Sequence, residues 1–462
     1  MKRKSDMLLK TLKAMIPFWN IMIFCYVWML YYNEQTFSSQ WGKGAIISAV
    51  LYIIIYMAFG RLYNAFKIGT YRVSELIFSQ LLSFGIADFC LYLQSCLIHR
   101  KAVSILPGAV AVIVQLVGST LLILLVKHCF AIYVPPSDTL IVYGDSQVNE
   151  FINIPVDEFA QKLQGKLSHM LRIREICSDK LPYSMLAEKV ELYDTVILYN
   201  VPAATRAPLL ALGVERGKNI YLTPRIEDIL LTNFENRHMI DTPLLKAKNG
   251  AKKYTGKRVF DIVVSLLMLA VFAPFMLIIA VCIKLEDGGD IFYRQKRVTM
   301  DGRVFEILKF RSMIPDAEKH GFKPCTSNDS RITRVGRIIR ATRLDETPQL
   351  LNILKGDMSI VGPRPERVEH VEKYTEQLPE FAYRLRVRGG LTGYAQIYGK
   401  YNTSAADKLK MDLMYIERQS LLLDLQLIFL TLKIMFIPES TEGFKENAGE
   451  GMANKGKTAK GA

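Results

Sequence analysis

The sequence has no paired cysteines, no cleavable leader pattern and no glycine-rich dinucleotide fingerprint, and each absence argues against a class of protein. Its seven cysteines are Cys25, Cys90, Cys96, Cys129, Cys177, Cys282 and Cys325. None stands in a C-x-x-C spacing and the number is odd, which argues against a disulfide framework and against a zinc site. Several lie in apolar runs, where cysteine acts as a small hydrophobe. A reducing, cytoplasmic setting is expected for the aqueous part. The N-terminus lacks the short apolar core and small-residue cleavage site of a secretory signal, so the first apolar run is expected to stay in place. Acidic residues are also in deficit: 44 Asp and Glu stand against 59 Lys and Arg, a net charge of +15. A basic chain suits either nucleic acid or an anionic membrane face carrying anionic substrates. No interleaving of aromatic and basic residues on a defined fold supports the first.

What is present favours the membrane. The 462 residues suggest two or three domains, and half of them are hydrophobic. Four long apolar stretches fill the first third: about Met15 to Tyr32, Gly44 to Gly60, Leu76 to Leu97 and Val103 to Val126. Each approaches the ~20 residues that cross a bilayer core, and in lipid the backbone must bond internally, so helices are predicted. Lys2, Arg3, Lys4, Lys10 and Lys13 precede the first, Arg61, Lys67 and Arg72 fill the second loop, and Lys127 follows the fourth. The first loop holds Glu34 and only Lys43, while Arg100 and Lys101 in the third weaken the contrast. The charge bias places both ends of this region in the cytoplasm. Asp88, inside the third stretch, reads as a helix contact or a cavity-facing group.

From Pro135 to about Thr242 the pattern alternates. Thr139 to Gly144, Leu171 to Cys177, Thr195 to Tyr199 and Asn219 to Leu222 read as short strands separated by polar helices. A small parallel, Rossmann-like sheet follows from that alternation. Yet Gly144-Asp145-Ser146-Gln147-Val148 supplies one glycine where the dinucleotide fingerprint needs three, so a structural or regulatory domain is expected. Lys246 to Lys257 reads as a basic linker. Ile262 to Ile283 is then uncharged and long enough to span, but basic residues flank both ends and Pro274 falls near its middle. Lys252, Lys253, Lys257 and Arg258 precede it; Lys284, Arg294, Lys296 and Arg297 follow. A helix that dips in and returns to the same face satisfies both facts; an ordinary kinked fifth span is the alternative.

After it, Ile291-Phe292-Tyr293 and Val304 to Phe310 flank Asp301-Gly302, a hairpin signal. Arg331, Arg334, Arg337, Arg340 and Arg343 recur by threes, a cationic stripe on a helix. Thr347 and Pro348 read as the cap and first residue of a helix that stops at Gly356. Asp345 and Glu346 therefore sit just ahead of a helix N-terminus, a setting that suits phosphate. Arg340 and Arg343 are expected to hold Asp345 ionised. An ionised carboxylate there is a potential nucleophile and a second one can hold magnesium; adjacent Asp-Glu ahead of a helix is also ordinary dipole complementation. Pro363 and Pro365 hold Arg364 in a rigid turn, where a fixed guanidinium suits phosphate. Gly389, Gly390 and Gly393 permit close backbone approach. Asp412 and Tyr415 fall on an amphipathic helix. Leu421 to Phe436 reads as an interfacial or packing helix, and the last twenty residues as disordered.

Together these segments closely resemble the bacterial sugar transferases, the polyprenyl-phosphate hexose-1-phosphate transferases. The matching residues are Lys257-Arg258-Val259-Phe260-Asp261, Lys309-Phe310-Arg311-Ser312-Met313, Thr342 to Leu350, Gly356-Asp357-Met358-Ser359 and Gly362-Pro363-Arg364-Pro365. The resemblance covers about Lys253 to Phe436, and the layout is similar to the large form of the family. It implies an α/β membrane protein: a four-helix transmembrane region (1–134), a Rossmann-like cytoplasmic domain (135–245), a mostly helical α/β catalytic domain (246–440) and a tail (441–462). The catalytic domain would carry a re-entrant helix at about 260–284, broken at Pro274. Ala273 stands where the family often has Ser.

By the same resemblance, Asp345 attacks the β-phosphate of a UDP-sugar, UMP leaves, and undecaprenyl phosphate collects the phosphosugar. Glu346, with Asp345, holds Mg²⁺. Lys309, Arg340, Arg343, Arg364 and Asp412 are implied as supporting residues that bind substrate phosphate. The implied setting is the cytoplasmic face of a bacterial inner membrane, with UDP-glucose or UDP-galactose favoured, a homodimer as a further partner state, and the product entering exopolysaccharide, capsule or O-antigen synthesis. The alternative is a catalytically inactive scaffold or regulator that binds nucleotide sugar.

Overall fold

The structure, a computed structural model, describes residues 2–33, 43–144, 154–239, 242–246, 256–315, 329–399 and 403–435. The expectations for 145–148, most of the 246–257 linker, Cys325 and the 441–462 tail lie outside those residues. The chain divides into two compact units that meet in sequence at Thr223 and Pro224.

In the first unit, helices stand at each of the four apolar stretches. They are α1 (Lys2–Val27, continued as a π-helix Trp28–Asn33), α2 (Lys43–Leu62), α3 (Val73–His99) and α4 (Leu106–Tyr133). Their shared core is aromatic: Phe24, Trp28, Tyr32, Tyr52, Tyr56 and Phe84, with Phe24 stacked on Tyr52 at 3.8 Å. Polar groups are bonded across the helices. Asn20 donates to Tyr56 Oη (3.1 Å) and Ser119 Oγ (2.9 Å), Tyr56 to Gln80 (2.7 Å), and Gln115 to Tyr52 (3.0 Å). Such bonds knit apolar helices whose surroundings offer no alternative partner. Asp88 keeps a buried Oδ2 without a hydrogen-bond partner among the described residues.

The same unit then forms β1 (Ser137–Tyr143), α5 (Val156–Leu167), β2 (Leu171–Ser178), α6 (Tyr183–Leu192), β3 (Thr195–Tyr199), α7 (Ala203–Glu215) and β4 (Asn219–Leu222). All four strands are parallel in the order β2-β1-β3-β4. The four expected strands are all present. Gly144 ends β1 where a Cβ would lie 2.3 Å from Asn200 O, so its smallness serves packing against the loop after β3.

The second unit opens with α8 (Ile226–Leu231) and the antiparallel pair β5 (Glu235–Met239) and β6 (Thr242–Lys246). Ile229 of α8 joins the core of this unit, and Asn233 donates to Glu417. Next come α9 (Lys257–Asp287), β7 (Phe292–Val298), β8 (Val304–Phe310), α10 (Arg334–Ala341), α11 (Gln349–Lys355) and β9 (Met358–Val361). α12 (Val368–Gln377), β10 (Gly389–Thr392), α13 (Tyr394–Tyr398), α14 (Ala405–Glu417) and α15 (Leu421–Met435) complete it. Among the described residues five helices are long and apolar enough to cross a membrane: the four of the first unit and α9. The expected break at Pro274 is corrected: α9 runs through it without interruption, so a turn there is a bend in a continuous helix. Asp301 (φ 59°) and Gly302 (φ 77°) make the β7–β8 hairpin turn as the Asp-Gly pair predicts.

Leu350, Ile353, Met358, Ile360, Phe381, Leu409, Leu413 and Leu427 form the core, so α15 is a packing helix on this unit, with Asp424 and Lys433 buried. The parallel pair β9–β10 runs through it. The glycines Gly390 and Gly393 do allow a close backbone approach, but the approaching backbone is the chain's own, and Gly389 instead makes room for the Pro365 ring. A Cβ on Gly390 would sit 2.1 Å from Gly362 N, and one on Gly393 2.1 Å from Gly362 O. Gly390→Ala is therefore expected to destabilise the protein by about 1–3 kcal/mol, read as a lowered thermal midpoint in detergent.

Candidate active site

The carboxylates Asp345 and Glu346 stand on a short 3₁₀ turn (Leu344–Glu346) between α10 and α11. α10 starts at Thr333, whose hydroxyl accepts from Gly336 N, and packs so closely on the segment after β8 that a Cβ at Gly336 would lie 2.0 Å from Ser312 O. Ile339 buries against Phe310. Only Arg334, Arg337 and Arg340 of the expected stripe belong to this helix. Arg331 precedes it and pairs with Asp329, and Arg343 follows it with φ 58°. A left-handed non-glycine residue costs of order 1–3 kcal/mol and persists where surrounding structure imposes it, often at functional sites.

The cap reading for Thr347 is corrected. Thr347 has helical dihedrals and its hydroxyl donates to Leu344 O (2.8 Å), so no side chain caps α11, which begins at Gln349. A 3₁₀ turn already occupies the backbone there, leaving no extended residue to serve as a cap. The far end agrees with the sequence: Gly356 (φ 98°) closes the helix, and Arg258 donates to the carbonyls of Ile353 and Leu354.

Two cations converge on Glu346. Lys309 of β8 donates to its Oε1 at 2.7 Å, and Arg364 Nη2 donates to the same oxygen at 2.9 Å. Burial alone would raise this carboxyl, but Lys309 and Arg364 outweigh it and hold Glu346 well below the ordinary carboxylate range. Asp345 goes the other way. Partial burial pushes it up, and the neighbouring Glu346 adds to that, against the pull of Lys309, Arg340 and Arg343. The two arginines act on Asp345 in the expected sense, yet burial outweighs them and the net direction is upward; the carboxylate has no hydrogen-bond or ion-pair partner among the described residues. The guanidinium groups of Arg340 and Arg343 likewise have no such partner among the described residues. Two adjacent carboxylates with pKa values pushed apart are a common arrangement for divided chemical roles.

Asp412 is not brought to this pair. It is buried on α14, 2.8 Å from Arg384, whose Nη2 also donates to Arg364 O at 2.9 Å. It thus reaches Glu346 only through Arg384 and Arg364. Sequence reasoning missed Arg384 and Glu366, which share this cluster; nothing in their local sequence distinguishes them from solvated charges. Burial raises Asp412 to about 6, with Arg384 and Lys408 lowering it and Glu366 raising it. Between 3.8, the ordinary value, and about 6 the folded protein keeps a proton that the unfolded chain releases. This group's contribution to stability therefore falls as pH rises through that window. Asp412→Asn is expected to remove that fall, seen by comparing thermal midpoints of the two proteins from about pH 4 to 7.

No cluster of three acidic, histidine or cysteine side chains suited to a metal occurs among the described residues. The donor set of Asp345 and Glu346 nevertheless fits magnesium, which is bound through one or two carboxylates with substrate phosphates and water completing the shell. Glu346 Oε2 has no hydrogen-bond partner among the described residues, whereas Oε1 is committed to the two cations.

Residues 252–438 match the profile of a family described as bacterial sugar transferase. The UDP-N-acetylgalactosamine-undecaprenyl-phosphate N-acetylgalactosaminephosphotransferase of Aeromonas hydrophila is 43% identical over 180 residues, 38% of this chain and 43% of that protein. The UDP-glucose:undecaprenyl-phosphate glucose-1-phosphate transferase of Caulobacter vibrioides is 43% identical over 180 residues, 38% of this chain and 67% of its own length. The exopolysaccharide production protein ExoY of Rhizobium meliloti is 38% identical over 191 residues, 38% of this chain and 83% of its own. The chain thus spans less than half of the Aeromonas relative but most of the shorter ones.

Proposed function

The chain belongs to the bacterial sugar transferase family, and from that premise we propose that it moves a sugar-1-phosphate from a UDP-sugar to undecaprenyl phosphate, releasing UMP. The observation that carries this reading is the division of labour between the two carboxylates. Glu346 is ionised and pinned by Lys309 and Arg364, while Asp345 keeps its lone pairs unshared and its basicity raised. An unbonded, more basic carboxylate is the better nucleophile.

In the proposed sequence a carboxylate oxygen of Asp345 attacks the β-phosphorus. The bond from that phosphorus to the oxygen bridging to the α-phosphate breaks, and UMP departs with the electron pair. An oxygen of the polyprenyl phosphate then attacks the aspartyl-phosphosugar phosphorus and displaces Asp345. Phosphoryl transfer needs alignment and charge neutralisation more than acid–base power. Arg340 and Arg343, unpaired near Asp345, and Arg364 and Lys309 around Glu346 supply the positive charge. Magnesium held by Glu346 and Asp345 would add charge neutralisation on the phosphates.

The membrane arrangement belongs to the same proposal: four spanning helices, and α9 dipping into the cytoplasmic leaflet of a bacterial inner membrane and returning. Both ends of α9 are fastened to the same unit. Arg258 bonds α11, Asp287 pairs with Arg311, and Glu286 accepts from the first N–H groups of α10. A helix so tethered at both ends favours one face for both.

The test is nucleotide release. Membranes carrying the protein, undecaprenyl phosphate and magnesium are offered UDP-glucose, UDP-galactose and UDP-N-acetylgalactosamine in turn. UMP that depends on the lipid phosphate is the expected product. UDP would indicate glycosyl transfer and sink the mechanism, and silence across the panel would favour a nucleotide-sugar-binding scaffold.

A further inference from the structure

The strand that leads into the Arg364 turn is fastened directly to the first turn of the apolar helix. Lys257, in the opening turn of α9, donates to Val361 O at 3.2 Å and to Asp424 Oδ2 at 2.6 Å, and lies 3.3 Å from Asp261 Oδ1. Tyr415 Oη is 3.0 Å from the same Val361 carbonyl and 2.8 Å from Asp424 Oδ1, and it accepts from Gln419 Nε2 at 3.0 Å. One turn along α9, Asp261 Oδ1 accepts from Ile360 N (3.1 Å) and Ser359 Oγ (3.0 Å). Asp261 and Asp424 are fully buried, and Lys257 nearly so. Three consecutive residues of β9 are therefore held by side chains of α9 and α14, and Asp424 of α15 bridges Lys257 and Tyr415 behind them.

Val361 stands three residues before Arg364, and what lies between is stiff. Gly362 N is bonded to Thr392 O (2.9 Å) and Pro363 O accepts from Gly390 N (2.8 Å). Pro363 and Pro365 fix φ on either side of Arg364. A shift of the Val361 carbonyl has few soft torsions in which to dissipate before it reaches the guanidinium on Glu346. A purely structural anchor for α9 would need its ion pair with Asp424 but not a bond to the strand of the active-site arginine.

We propose that Lys257, with Tyr415, is a positioning residue for Arg364: the seat of α9 sets where the arginine meets Glu346, so that the seating of the helix in lipid is coupled to the geometry of the site. This rests on the phosphosugar-transfer reading for its kinetic consequences, though not for its geometry. A displacement of about 1 Å at a phosphoryl-transfer site is worth up to ~10²-fold in rate.

The test uses the full chain in lipid nanodiscs, with UMP release as the kinetic readout. Lys257→Met is expected to lower kcat about 10- to 100-fold while the KM for UDP-sugar changes much less. Lys257→Arg is expected to recover most of the loss, and Tyr415→Phe to show a smaller fall of the same kind. The deciding variant is Lys257→Met combined with Arg364→Lys. Acting through the arginine, Lys257→Met adds little to the loss already caused by Arg364→Lys. Losses that multiply would overturn the proposal. Should the wild type release no UMP from any UDP-sugar, the transfer reading fails by itself, and amide exchange decides the positioning. Faster exchange at Ile360 and Gly362 in Lys257→Met, with the β7–β8 hairpin unchanged, supports it; unchanged exchange at both overturns it.

Discussion

Asp345→Asn is expected to lower UMP release by at least about 10³-fold while the protein keeps its thermal midpoint. The size follows from removing the attacking atom: an amide cannot form the acyl phosphate, and loss of a covalent nucleophile typically costs several orders of magnitude. The unchanged stability follows from the structure. Asp345 makes no hydrogen bond or ion pair among the described residues, so the isosteric amide breaks nothing there. If anything, removing a carboxyl whose charge burial disfavours relieves the fold slightly at neutral pH. Release of UMP from UDP-sugar in the absence of lipid phosphate, in an amount matching the enzyme, would report the covalent half-reaction, and the variant should lack that burst. A variant that still shows the burst would assign the attack elsewhere. The rate of the wild type should decline on the acid side around a pKa above the ordinary Asp value of 3.8, the direction in which burial and Glu346 push this group.

Much of this fold was legible because its signals are local. The β7–β8 hairpin follows from alternation around Asp301-Gly302, whose two positive φ values are what that turn demands. The end of α11 follows from Gly356, and the four parallel strands of the first unit from their β-branched runs bounded by turn residues. The failures have one physical origin, which is that tertiary contacts choose among local options. Thr347 has the chemistry of a cap, but the 3₁₀ turn before it puts its backbone in helical space, and its hydroxyl turns back to Leu344 O. Gly390 has the freedom for a close backbone approach, but only the fold shows that Gly362 is the backbone that approaches. Asp412 has the charge of a ligand, but Arg384 has already claimed it. Asp424 was visible as an odd charge in an apolar run, though nothing local names Lys257, far away in the sequence, as its partner.

Glu346→Gln is expected to reduce turnover by at least about 10²-fold and also to destabilise the protein, which separates it from Asp345→Asn. The carboxylate collects two cations on one oxygen, so its loss leaves Lys309 and Arg364 near each other with no negative charge between them. Removing one partner of a buried pair costs about 3–5 kcal/mol. Here Arg364 is 40% exposed and solvent can screen it, so a smaller cost, about 1–3 kcal/mol, is expected. A second substitution tells the two roles apart. Lys309→Met together with Glu346→Gln removes the orphaned ammonium as well as the carboxylate and should recover part of the lost stability, because deleting both partners leaves less buried charge uncompensated. Turnover should not recover with it, since neither the lysine nor the carboxylate remains to organise the phosphates. Recovery of both together would mean that the Lys309–Glu346 pair only holds the fold, and the division of labour between the two carboxylates would fall with it.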